Sequence, residues 1–169
     1  MDGRISTHRD LIVFQKSFAA GKRIFELTKS FPREEMYSLT DQVRRTSRSV
    51  SANIAEAWRK RRYEKHFRST MNVAEAEAAE TQVWIEYAAA HGYLDAQTAS
   101  QAIEYYDEIL RVIVAMIHES SKWCIGVTGS SDDQTIKETN SQYKIESDTP
   151  TIDQNHLISP TSQTPTSPC

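Results

Sequence analysis

Four arginines share one helical register. At 100° per residue, with Arg44 set to zero, Arg48 falls at about 40°, Arg59 at about 60° and Arg62 back at about 0°. Arg45, Lys60 and Arg61 thicken the two ends of this stripe, and the positions between its clusters are the small Ser51, Ala52 and Ala55. A flat strip with cationic ends admits a phosphate backbone or another helix at close range. Arginine and lysine contacts to phosphate give salt-sensitive binding with little reading of base identity. The same side chains could instead pair with Glu75, Glu77, Glu80 or Glu86, within one chain or between subunits, as individually weak surface ion pairs.

Other chemistries lack their residues. A di-iron carboxylate site in a helical bundle needs Glu-x-x-His, because i and i+3 present both ligands on one inward face; the motif does not occur. His8, His66, His91, His118 and His156 fall on different elements. Five glycines leave no phosphate-cradling loop, and no serine or cysteine lies in a nucleophile motif. The expectation is a protein with no enzymatic activity, cofactor or metal.

The formal net charge is −3, from 20 Lys plus Arg against 23 Asp plus Glu, which argues against nucleic-acid binding only if charge is evenly spread. It is not. Arg33 to Arg68 contains ten basic and five acidic residues, whereas Ser69 to Ser120 contains nine acidic residues and, apart from histidine, only Arg111 as a base. Two cysteines, Cys124 and Cys169, have neither zinc-site nor disulfide spacing. With no apolar signal core in MDGRISTHRD and no apolar run of about 18 residues, a cytoplasmic protein without membrane association is expected.

Four elements must position the stripe. Leu11, Phe14, Phe18, Ile24 and Phe25 recur at helical intervals behind a Thr7-x-x-Asp10 capping box and stop at Ser30-Phe31-Pro32, defining helix one. Ser38-x-x-Asp41 repeats the capping signal before helix two, whose inner face is Leu39, Val43, Val50, Ile54 and Ala57. Phe67, Met71, Ala74, Ala78, Thr81, Ile85 and Ala88 step by four and three along helix three to Gly92, a C-terminal glycine. Asp95 caps helix four, carrying Ala99, Tyr106, Leu110, Ile113 and Ile117. No strand pattern competes, and the short connections make successive helices antiparallel. The expected fold is all-α, an up-down antiparallel four-helix bundle over residues 1–125.

Residues 126–169 are rich in Ser and Thr and hold four of the five prolines; such text buries too little apolar surface to offset ordering entropy, so a disordered tail is expected. Trp58, Trp84, Tyr87, Tyr93, Tyr105 and Tyr106 exceed what a thin alanine-rich bundle needs, which points to subunit contacts as well as core filling. Asn53, bordering the inner face of helix two, is expected to be a structural hydrogen-bonding residue, with Glu56 exposed or facing another subunit.

The stretch SFPREEMYSLTDQVRRTSRSVSANIAEAWRKRR, followed by an Ala-Glu-rich helix and HGYLD, resembles the four helix bundle protein family, which includes proteins encoded in intervening sequences of bacterial 23S ribosomal RNA genes. The pattern from Phe31 to Glu56 carries the resemblance, which covers about residues 8 to 120. The family's usual glycine after NIAE is Ala57 here, its Gly-Ser in helix three appears as Glu75 to Ala78, and Glu80 takes the place of its acidic residue on helix three. The resemblance implies a bundle that closes into a homopentameric ring with a basic surface and a role associated with RNA. The family is also similar in architecture to accessory proteins of diversity-generating retroelements, which bind a reverse transcriptase and nucleic acid; the alternative reading is a protein-interaction module that docks a partner such as a reverse transcriptase with no direct RNA contact and uses the basic charges on acidic protein.

Overall fold

The structure, a computed structural model, describes residues 5–125; the tail expected for residues 126–169 lies outside the described residues. Four long helices carry the fold: α1 (Ile12–Leu27), α2 (Leu39–Lys60), α3 (Glu64–Ala90) and α4 (Ala96–His118), followed by a single turn, α5 (Ser120–Trp123). Each long helix packs on its sequence neighbour and α4 closes back on α1. Side-chain bonds fix the antiparallel sense. Tyr93, in the α3–α4 turn, donates to Glu35 ahead of α2 (3.2 Å), and Gln82 of α3 donates to Asp107 of α4 (2.7 Å). Among the described residues there are no strands, and the fold is the expected up-down bundle.

The core is one cluster drawn from all four helices, including Val13, Ile24, Val50, Ile54, Phe67, Met71, Tyr106, Ile109 and Ile113. All seven positions of the stripe on α3 are buried, as are all five on α2. Gly92 has a φ of 74°, a left-handed value that glycine adopts without steric cost, and ends the α3 segment.

Helix one differs from its sequence reading. The Thr7–Asp10 box exists, but it closes a short 3-10 turn, His8–Asp10, and extended Leu11 separates that turn from α1. Phe18 and Phe25 face outward, 52% and 37% exposed. The inner face is Val13, Ser17, Ala20, Gly21 and Ile24, because small side chains let α1 settle onto α2. The Ser38 hydroxyl does not cap α2. It donates to the Glu35 carboxylate, which also accepts from the Leu39 amide (3.3 Å), so Glu35 serves the helix start. These bonds hold the Glu35 carboxyl below its usual pKa, Ser38 first and Leu39 next. On α4, Ile109 and Met116 are buried while Leu110 and Ile117 are half-buried, so the inner face is turned slightly from the expected one.

Candidate nucleic-acid interface

Burial of Leu39, Val43, Val50, Ile54 and Ala57 orients the rest of α2 outward. Arg45, Arg48, Arg59, Lys60 and Arg62 are exposed, while Arg44 and Arg61 are half-buried. The two basic groups stand apart along the helix. Arg48 and Arg59 are eleven residues apart in sequence, about 16 Å at 1.5 Å per residue.

At the first group, the Arg44 Nε donates to Thr28 Oγ1 (2.7 Å), tying α2 to the end of α1. Arg44 and Arg48 both lie over the Phe25 ring, at 4.9 and 5.7 Å from its centroid. Arg45 donates to Gln42 on its own helix. Arg44 thus has a structural bond in addition to its outward charge.

The second group departs from the uniform stripe. Regular helix ends at Lys60, so Arg61 is the C-cap and Arg62 lies in the turn beyond, where 100° steps no longer place side chains. Arg61 folds back: its guanidinium lies 3.7 Å from the Trp58 ring centroid and donates to the Trp58 carbonyl (2.8 Å). Burial lowers its pKa, and nearby Arg59 adds to the effect. Lys60 pairs with Glu56 at 2.5 Å. Arg59 and Arg62 remain exposed.

None of the ion pairs among the described residues joins an arginine of α2 to an acid of α3. Arg45 nevertheless stands close enough to Glu77 of α3 to oppose the rise of its pKa, so the exposed arginines of this face that lack such a neighbour are Arg48, Arg59 and Arg62. Glu80 accepts from the indole of Trp84 (3.0 Å). Glu77 is half-buried, and its Oε2 is buried with no hydrogen-bond partner. Burial raises its pKa, neighbouring Glu80 adds to the rise and Arg45 of α2 partly opposes it. Asn53 donates to the carbonyl of Ser49 (2.9 Å) on its own helix and is half-buried, while Glu56 is exposed.

The sequence reading missed the contribution of α1 to this surface. Phe18, Lys22 and Phe25 border the Arg44–Arg48 group across a shallow hollow. The signal was the run of small residues Ser17, Ala20 and Gly21 in register with Val13 and Ile24, which marks the inner face and puts both phenylalanines outside. Among the described residues no group of three or more His, Cys, Asp or Glu side chains is placed to hold a metal ion, and no helix is long and apolar enough to cross a membrane.

These features define an antiparallel four-helix bundle with a basic second helix. The 23S rRNA-intervening sequence protein family matches residues 9–115, and the chain belongs to that family. Among solved structures, it is similar to a protein of the S23 ribosomal protein family from Bacteroides thetaiotaomicron, with 27% identity and a TM-score of 0.58, covering 63% of this chain and 98% of that one. A comparison with curated proteins finds no match.

Proposed function

We propose that this protein is a non-enzymatic, oligomeric scaffold that associates with RNA or a nucleoprotein complex through the basic face of α2. The observation that carries this reading is that exposed Arg48, Arg59 and Arg62 have no acidic partner among the described residues, although α3 beside them is rich in glutamate. Surplus cations of this kind suit a polyanion. A closed ring of identical subunits, such as the pentamer the family resemblance implies, would repeat the arginine groups around its axis. Phosphate contacts would multiply without strong affinity in any one subunit.

The test measures structured RNA binding over a salt series, with light scattering for mass, for wild type and the Arg59→Glu/Arg62→Glu double variant. Wild-type affinity should fall log-linearly with salt, and each lost phosphate contact should reduce the slope by about 0.7 to 0.9. Helicity should be unchanged. Equal binding by the double variant across moderate salt would refute the phosphate role of the α2 end, and RNA-independent capture of an acidic protein in its place would make the module a protein adaptor.

A further inference from the structure

We propose that the α1/α2 face is a stacking site for unpaired bases of a single-stranded nucleic acid, an inference that rests on the polyanion function above and narrows its ligand. Phe18, Phe25 and Tyr37 are 52%, 37% and 95% exposed, although ring side chains of this size are normally covered. They alternate with cations. Lys22 lies over Phe18 (5.8 Å), and Lys29, Arg44 and Arg48 lie over Phe25 (5.0, 4.9 and 5.7 Å). Two hollows adjoin here, one of about 480 Å³ bordered by Phe18, Lys22 and Phe25 and one of about 530 Å³ bordered by Tyr37, Arg44 and Arg45, with Arg48 common to both.

The charge of this face selects the occupant. Lys22, Lys29, Arg44, Arg45 and Arg48 are five cations against three carboxylates, Glu26, Asp41 and Glu77; Glu26 is already held by Lys29 at 2.7 Å, and Glu77, on α3, lies on the side of Arg45 away from the α1 rings, so the balance over the rings stays positive. A polyanion satisfies the cations, but phosphate alone gives the rings nothing. A strand with unpaired bases satisfies both, since each base offers a π-face and each linkage a charge. A duplex encloses its base faces in its own stack and meets proteins mainly through phosphates and hydroxyls. The cation–π contacts now covering the rings are weak at exposed sites, so a base can replace them or stack alongside.

The experiment uses the full chain and fluorescence anisotropy with four probes: an unstructured RNA strand, an abasic strand of equal length and charge, a duplex, and poly-glutamate. Wild type should bind the base-bearing strand about tenfold more tightly than the abasic strand. Phe18→Leu/Phe25→Leu, which keeps apolar volume but removes the rings, should abolish that ratio and leave abasic affinity unchanged, whereas Phe25→Trp should preserve it. Circular dichroism verifies that each variant is folded. Equal binding of base-bearing and abasic strands, both weakened by Arg59→Glu/Arg62→Glu, would overturn stacking and leave the phosphate function standing. Failure of every nucleic-acid probe to bind would overturn both, and preference for poly-glutamate would reassign the face to an acidic protein.

Discussion

Gly21 sets the distance between α1 and α2, and a substitution series there measures it. A Cβ added at Gly21 would lie 3.4 Å from the Ser47 carbonyl oxygen, 3.7 Å from its carbon and 4.0 Å from the Arg48 Cα. These are ordinary van der Waals separations, so Gly21→Ala should fit with little movement of either backbone. Alanine gains about 0.8 to 1 kcal/mol over glycine inside a helix, and a buried methyl adds up to about 0.8 kcal/mol; tight packing against the Ser47 oxygen reduces the sum. The expected net is about 1 kcal/mol of added stability, roughly 4 °C in Tm for a domain of this size. Gly21→Leu should do the opposite. Its branch must find room between the α2 backbone at Ser47 and the shallow hollow that Gly21 lines with Phe18, Phe25 and Arg48, and overpacking against that backbone costs about 1–3 kcal/mol. Urea unfolding followed by far-UV circular dichroism gives both values. A loss above about 1 kcal/mol for Gly21→Ala would mean the helices already touch at the glycine, and unchanged stability for Gly21→Leu would mean α1 does not rest on α2 at Ser47.

Arg44→Ala should lower stability by about 1 kcal/mol through loss of its bond to Thr28, discounted for partial exposure, whereas Arg48→Ala should stay within about 0.5 kcal/mol of wild type; equal losses in urea melts would refute the distinction. Asn53→Ala removes a bond to Ser49 within the same half-buried helix turn but installs a better helix former, so the melting curve should move by less than about 0.5 kcal/mol in either direction. For Glu77, burial raises the folded pKa above its ordinary value of 4.5, so its favourable contribution is fully present below 4.5 and is lost as pH rises through the folded pKa. Glu77→Gln should therefore raise Tm near neutral pH, with the advantage disappearing toward pH 4; a pH-independent difference would refute this origin.

The stripe on α3 was readable from the strict four-and-three spacing of Phe67, Met71, Ala74, Ala78, Thr81, Ile85 and Ala88, not from polarity, since Val73, Ala76, Ala79 and Val83 lie outside it and are exposed while Thr81 is buried. Helix α1 defeated the same reasoning. Ranking residues by hydrophobicity sends Phe18 and Phe25 inward, but the bundle needed small volumes at Ser17, Ala20 and Gly21 for close helix approach. The arginines of α2 before its end were legible by the same periodicity, whereas Arg62 was not, since angular steps carry no record of where a helix stops. The Arg44–Thr28 bond joins residues on different elements and has no local signature. Glu35 displaced Ser38 at the start of α2 for a related reason: the capping pattern names a residue type, while the entering chain decides which oxygen arrives.

The short segment after α4 has a consequence for the basic turn between α2 and α3. Ser120 donates to Glu64 at the start of α3, and the Ile125 amide donates to the Arg61 carbonyl (3.0 Å), while Arg61 itself is stacked on Trp58. The turn is therefore clasped by a segment distant in sequence that returns to the same end of the bundle. Its backbone loses conformational freedom when the chain folds and has correspondingly little left to lose when a ligand arrives. For the proposed polyanion function, preorganisation of this kind would spare a few cations on a small surface the entropic cost that a free basic loop would carry. It also makes residues beyond the 9–115 family match, from Ser120 to Ile125, part of what holds that surface in shape.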